Sequence, residues 1–279
     1  MGELLREPVA FKDAWALEIG KLKDASRDMA VFDFPKLKGT LRYDPRGIKD
    51  LTDMQQEVSK LMGVKAHILA DYPGRKIVTF GSCFANNIVA YLVAKGANAK
   101  TTMLTEDINC TYNNSLFLRK VFLGESSPLT DELKVNYKGI ASDLKDATDV
   151  ILTLGNIFRL QHKGGPLVQE TPEETVELLR DVVSLVKTNT RARLFITVSP
   201  IPISGYRGSD YATAIEADCS SKCQLRTALR SVDGFTYLPI FEIFRWLAPH
   251  TAFAAFGGDD GHQRHITRSQ LEVVMEALC

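Results

Sequence analysis

The sequence predicts a three-layer α/β/α sandwich around a parallel sheet of about five strands. Two observations predict it. The runs Ile77–Phe80, Asp149–Leu154, Leu194–Val198 and Phe235–Leu238 are rich in β-branched and aromatic residues. The best of them are continuously apolar instead of alternating, as strands are when both faces of a sheet are covered. Stretches of helical periodicity separate these runs, and strand–helix alternation is the pattern of parallel pairing. At 279 residues the chain can build one large domain or two small ones.

Taken in order, residues 1–50 read as an irregular lead-in, with Pro35, Gly39 and the turn Arg42-Tyr-Asp-Pro-Arg-Gly47. Leu51–Ala70 reads as a helix or a pair of short ones, broken near Gly63. Residues 1–70 are therefore expected to be an N-terminal extension packed on a main domain spanning 71–279. Asp71-Tyr-Pro-Gly74 turns the chain into the first strand, Lys76–Phe80. Gly81 permits a sharp turn, and Asn86–Lys95 has the apolar spacing of a helix, with Gly96 as its C-cap. A weak second strand, Ala97–Thr105, leads to a polar segment rich in asparagine, Glu106–Ser115, and then to a helix, Leu116–Phe122. Asp131–Asp146 is mixed. The strand Asp149–Leu154 ends at Gly155-Asn156. Thr171 is a natural N-cap, and Pro172 a natural first residue, for a long amphipathic helix reaching about Lys187. Leu194–Val198 ends at Ser199-Pro-Ile-Pro202. Tyr211–Arg230 reads as a helix with Lys222 and Arg226 on one face. The short strand Phe235–Leu238, a helical segment Ile240–Leu247 and a Gly/Asp/His loop over 256–265 follow. Thr267 then caps a last helix ending at Leu278.

Composition excludes more than it identifies. Basic and acidic side chains balance at 34 each with no long run of one sign, so neither nucleic acid nor an anionic membrane is indicated as the main partner. Cys219 and Cys223 lie four apart, but no second pair supplies the remaining ligands of a zinc site, and neither metal nor cofactor is expected. An odd cysteine count fits reduced thiols in a cytoplasmic protein. Met1–Asp24 mixes charges into its apolar residues, unlike a signal peptide. No run approaches the roughly 18 apolar residues of a membrane span.

The chemistry gathers at strand ends. A strand turning through Gly81-Ser82 into a helix sets a serine hydroxyl at the carboxyl edge of a parallel sheet, beside the helix's free N–H groups. Ser82 is the candidate nucleophile, and such a serine needs a base. Of the five histidines, His262 and His265 lie in Asp259-Asp-Gly-His-Gln-Arg-His265, just before the last helix. An aspartate a few residues before a histidine can orient its imidazole, and Asp259-x-x-His262 has a compact spacing. The same loop also reads as an ordinary polar surface loop. Asn156, directly after a buried strand, can donate its amide to an oxyanion or simply cap a turn. Cys83 at a helix N-terminus can carry a lowered pKa, although a small thiol there also packs under the turn. Lys222 and Arg226 can bind a phosphate or carboxylate, or pair with neighbouring acids.

Phe80-Gly-Ser-Cys-Phe-Ala85 resembles the motif that names the GSCFA family, a branch of the SGNH (GDSL-like) hydrolase superfamily. Four further segments resemble that family in order. They are Thr153-Leu-Gly-Asn156, Ile196-Thr-Val-Ser-Pro-Ile-Pro202 ("TVSPVP"), Ser221-Lys-Cys-Gln-Leu-Arg226 ("SK…LR") and Tyr237-Leu-Pro-Ile-Phe-Glu242 ("YFPSYE"). With the terminal Asp/His loop, the resemblance spans roughly residues 75–279. It implies a flavodoxin-like sandwich with a serine nucleophile, and ester hydrolysis or acyl transfer on an O-acylated carbohydrate, in some members linked to polysaccharide biosynthesis. By the same resemblance Ser82 is the nucleophile, its N–H and Asn156 hold the oxyanion, and Asn109, or next Asn114, supplies a further donor. The family's final motif is Asp-x-x-His leading quickly into the last helix. Asp259/His262 has that spacing, whereas His265 is followed at once by Ile-Thr and the helix. His265 is the preferred base, with Asp260 its orienting partner. A catalytically silent module that binds a glycan or nucleotide-linked sugar is the alternative, and acyl-CoA is a possible acyl donor for a transferase.

Overall fold

The continuously apolar runs become the central strands of one sheet. The computed structural model describes residues 51–62, 72–162, 165–251, 254–257, 259 and 261–279; the lead-in over 1–50 and the break expected near Gly63 lie outside these. The sheet comprises β1 (Lys76–Gly81), β2 (Asn98–Met103), β3 (Asp149–Leu154), β6 (Arg193–Val198) and β7 (Thr236–Tyr237). Its strand order is β2-β1-β3-β6-β7, and every pair is parallel. The five-stranded parallel sheet of the sequence reading is therefore present. Its order, second strand beside first and then third to fifth outward, is the flavodoxin-like winding.

Alternate residues of the strands serve two separate cores, which makes the structure three-layered. Val78, Phe80, Val150, Leu152, Leu194 and Ile196 point into one. That core is closed by α3 (Thr111–Leu123), α5 (Tyr137–Asp146), α6 (Pro172–Asn189) and α7 (Ala214–Ala228). Ile77, Ile151 and Phe195 point to the other face. There they meet α2 (Cys83–Ala94), the helical stretch 240–250 and α8 (Arg268–Leu278). The described part of the N-terminal extension, α1 (Leu51–Met62), adds Met54 and Val58 to this second core. All six residues of β3 are buried. At roughly 1.5–3 kcal/mol for each large apolar side chain buried, such strands are the main stabilising feature of the fold.

Three local expectations change. The polar segment 106–115 is not all loop, because α3 starts at Thr111. The N-cap Cys110 accepts from Asn113 N–H through its Sγ (3.3 Å), and the buried Glu170 carboxylate, far along the chain, accepts from Tyr112 N–H (2.9 Å), so part of the capping comes from outside the local sequence. The mixed segment 131–146 contains all of α5 and the end of α4 (Pro128–Glu132), the latter started by a Ser127–Thr130 capping box. A small antiparallel hairpin, β4 (Phe158–Leu160) with β5 (Leu167–Gln169), follows β3 and was not legible in the sequence. Among the described residues no helix is long and apolar enough to cross a membrane.

Candidate active site

The site begins where β1 stops. Gly81 has φ +122°, a conformation L side chains rarely adopt, and a Cβ there would collide with the Thr153 carbonyl of β3. Only glycine fits, and the chain turns at once. Register sets Gly81 opposite Thr153, so Ser82 emerges against the end of β3. Its N–H donates to Thr153 Oγ1 (2.8 Å) and Thr153 O (3.2 Å). Its Oγ lies 2.9 Å from Thr153 Oγ1 and accepts from Phe84 N–H at 3.2 Å, which makes Ser82 the N-cap of α2.

Between β1 and β3 the winding of the sheet reverses, and the crevice outside the strand ends at such a point is where this architecture binds ligands. A cavity of about 230 Å³ opens there. Ser82, Cys83, Asn109, Asn156 and Lys222 line it, with Leu104, Ile201 and Ile203 as apolar walls. Four expected site residues, Ser82, Asn109, Asn156 and Lys222, thus come together from four separate segments.

Their amides are already in use. Asn109 Nδ2 donates to Thr153 O (3.0 Å), and its backbone carbonyl accepts from Gly155 and Asn156 N–H (3.1 and 3.0 Å). Asn156 Nδ2 donates to Glu106 O (2.8 Å), while its Oδ1 caps Phe158 N–H (2.8 Å). Asn114 stands behind Asn109, donating to its Oδ1 (3.1 Å) and to Cys110 O (2.7 Å). The three asparagines lock the loop after β2 to the turn after β3.

Helix α7 clamps the same turn from the other side. Ser221 Oγ accepts from Ile157 N–H (3.2 Å), and Lys222 Nζ donates to Gly155 O. Lys222 is buried, and burial, opposed by the nearby Asp218 carboxylate, lowers its pKa to about 8. Arg226, grouped with Lys222 in the sequence, does not line the cavity. It pairs with Glu242 and lies 4.3 Å from the centre of the Tyr237 ring, tying α7 to β7 and the stretch beyond it.

The terminal loop reaches the cavity rim through Arg264, which donates to Pro202 O and to Glu106 Oε2 (3.3 Å). Both acceptor residues line the cavity. His262 and His265 flank that arginine, their ring centroids 4.8 Å apart, with His265 N–H donating to His262 O (3.0 Å). Neither histidine is among the described residues lining the cavity. Asp259 Oδ2 accepts from Arg268 N–H (2.7 Å), so it caps α8. Thr267 occupies the N-cap position but sends its hydroxyl to Ala254 O (2.7 Å) instead. Asp260 lies outside the described residues. Cys83 faces the cavity and does not simply pack beneath the turn; burial raises its pKa, against the lowering field of Arg264. Among the described residues no cluster of three or more His, Cys, Asp or Glu could hold a metal ion.

Thr153, Glu106, Arg264 and Ser199 belong to this neighbourhood and were not singled out from the sequence. Their roles depend on strand register and loop contacts, which leave no local pattern. Residues 119–277 match the model of the GSCFA family. The match takes in Asn156, Lys222 and the His262/His265 loop, and starts beyond Ser82 and Asn109. No curated protein matches the chain.

Proposed function

We propose, given that the chain belongs to the GSCFA family, that it is a serine-dependent ester hydrolase or acyltransferase acting on an O-acylated carbohydrate. One observation carries this reading: the Ser82 hydroxyl lies at the positive end of α2, on the wall of a cavity at the point where the sheet reverses its winding. The SGNH superfamily assignment, a role in polysaccharide biosynthesis and a cytoplasmic setting are parts of the same proposal.

In this mechanism Ser82 Oγ attacks the acyl carbon and forms an acyl-enzyme while the sugar oxygen leaves with a proton. His265, or else His262, takes the serine proton and passes it to the leaving oxygen, and Asp260 or Asp259 orients the imidazole. The imidazole must first replace Thr153 as the partner of the Ser82 hydroxyl. The anchoring of the histidine loop to the rim by Arg264 supports that exchange. Asn156, Asn109 and the Ser82 N–H are the candidate oxyanion donors, and each must shift from its present internal partner. Water reaching the acyl-enzyme gives hydrolysis. A sugar hydroxyl gives transfer, with acyl-CoA as a candidate donor.

The contact between Ser82 Oγ and Thr153 Oγ1 favours a second reading, a silent module that binds a glycan or nucleotide-linked sugar. Fluorophosphonate labelling separates the two. The wild type is expected to label, Ser82→Ala not to, and one of His262→Ala and His265→Ala to lose labelling. Folded wild type that never labels, and that cleaves neither acetylated sugars nor acyl-CoA, would leave the binding module standing.

A further inference from the structure

The wall of the cavity formed by the ends of β3 and β6 contains two buried donors that the protein leaves incompletely used. Ser199 is the first residue after β6. It is 1% exposed, its N–H is bonded to Leu154 O (2.7 Å), and its Oγ has no protein partner. Lys222 is also 1% exposed, and its ammonium makes one hydrogen bond, to Gly155 O. The Ser199 N–H and the Lys222 ammonium are anchored on the consecutive carbonyls of Leu154 and Gly155, so the two residues meet at one turn, and both line the cavity.

Asp218 does not close the account of Lys222. Its Oδ1 stands 3.8 Å from Nζ, beyond hydrogen-bond reach, and already accepts from Ile203 N–H (3.1 Å). Its Oδ2 accepts from Arg245 (2.8 Å). An ammonium with spare N–H donors is costly to bury unless something accepts from it, and Lys222 lines the cavity. Glu106 puts one carboxylate on the lining, where Arg264 pairs with it, and the other charges there are positive. The N-terminus of α2 points there, and the fields of Arg264 and Lys222 both act on Cys83 at that wall.

We propose that this wall is an anion subsite, in which Lys222 Nζ and Ser199 Oγ bind a carboxylate or a tetrahedral oxyanion. The substrate then has an acidic group beside its ester, or the acid product is held there after cleavage. Which of these the anion belongs to rests on the reading of Ser82 above; that an anion binds does not.

Calorimetry on the full chain tests it, with sodium acetate as the carboxylate probe and sodium sulfate as the tetrahedral one, at constant ionic strength. One-to-one binding of either is expected in wild type. Lys222→Met should weaken it at least tenfold, roughly what loss of a charge-assisted hydrogen bond implies, and Ser199→Ala by about three- to tenfold. Acetate alone binding identifies a carboxylate subsite, and sulfate alone a phosphate- or sulfate-type one. Affinity should also fall as pH rises through about 8, where Lys222 loses its proton. The ionisable groups facing it are Asp218 on its own helix, Arg245 from the 240–250 stretch, Glu106 from the turn after β2, and Cys83 on α2. The pH series uses wild type alone, so it decides the matter even where Lys222→Met does not fold. Equal affinities in wild type and folded Lys222→Met, or no binding by wild type tighter than about 10 mM, would overturn the subsite. Binding needs no turnover. A chain that binds acetate yet resists the fluorophosphonate keeps this inference and loses the nucleophile, and the reverse result separates them equally well.

Discussion

Asp149 and Lys222 are both ionisable and both buried, at opposite ends of one sheet, and their surroundings differ. At the amino end Asp149 is 0% exposed. Its Oδ1 accepts from Arg193 Nε (2.6 Å), and its Oδ2 from Arg75 (3.2 Å) and the Thr148 hydroxyl (3.0 Å), so both oxygens are answered. At the carboxyl end Lys222 has one acceptor, Ser199 Oγ has none, and both face a cavity. A buried charge with all its partners specifies a fold, here the seating of β3 between its neighbours. A buried charge with partners missing is, on the anion-subsite proposal, a cost the fold accepts for a ligand. If that distinction holds, substitutions at the amino end should alter stability and leave the chemistry, and substitutions at the carboxyl end should do the reverse.

The largest effect is expected at Ser82. Ser82→Ala should abolish fluorophosphonate labelling and lower ester turnover by about 10³-fold or more, roughly 4 kcal/mol of transition-state stabilisation. Its stability should fall only by about 1 kcal/mol, the loss of the α2 cap. A variant that labels as well as wild type would break the comparison at its functional end.

Next is Asp149→Ala, expected to lower the unfolding free energy by about 3 kcal/mol in urea titration, the lower end for a broken buried pair. The discount has a reason: the Arg75 and Arg193 side chains are 22% and 44% exposed and can turn to water. Below its unfolding transition the variant should label at Ser82 as wild type does. Lost labelling in folded protein would mean that the two ends are coupled.

The two ends were also unequally legible in the sequence. Strands such as Asp149–Leu154 announce themselves, because a parallel strand buried on both faces needs an unbroken apolar run. The Gly81-Ser82 turn was legible for a similar reason: a strand followed at once by glycine and a helix leaves few ways to continue. The carboxyl edge beyond Ser82 was only half readable. Asn156 and Lys222 could be placed near strand ends. That Thr153 would pair with both the N–H and the hydroxyl of Ser82 follows from the β1/β3 register, which no local pattern encodes. Arg226 shows the opposite failure. Helical spacing put it with Lys222, and Glu242, sixteen residues further on, took it. Asp259 likewise had the spacing of a triad member, and the structure gives it a backbone N–H to cap.

Lys222→Met is a smaller perturbation with an unusual sign. Burial holds the Lys222 pKa at about 8, below the ~10.4 of a free lysine. Between those pH values the unfolded chain binds the proton and the folded chain does not, so the lysine makes stability rise with pH across that window. Methionine removes the dependence and leaves Asp218 still paired with Arg245. Methionine also leaves the Gly155 carbonyl without its donor, which offsets part of the gain, so the variant should be more stable than wild type by about 1–2 kcal/mol at pH 7, an advantage that shrinks and then reverses as pH approaches ~10.4. Denaturant midpoints at the two pH values check it. A variant less stable than wild type at pH 7 would mean that Lys222 holds the fold as Asp149 does.

The smallest stability effect is expected at Glu106, the carboxylate that ties the carboxyl-edge loops together. Its Oε1 accepts from the Ser204 N–H and hydroxyl, and its Oε2 from Arg264. Glu106→Gln keeps one acceptor for Ser204 and turns an amide donor toward Arg264, so the change falls mainly on the link to the histidine loop. The Glu106 and Arg264 side chains are 32% and 41% exposed, so the pair is worth little to the fold, and the unfolding free energy should change by less than about 0.5 kcal/mol. Amide hydrogen exchange should nevertheless quicken over 256–266, where His265 N–H closes its turn on His262 O, while the β3 amides stay protected. Labelling of Ser82 should slow with it if the proposed base, His265 or His262, works from the loop that Arg264 anchors. Unchanged exchange in that loop would leave Arg264 without a positioning role and would detach the histidines from the Ser82 site, while a large loss of stability would place Glu106 with Asp149 among the charges that the fold itself requires.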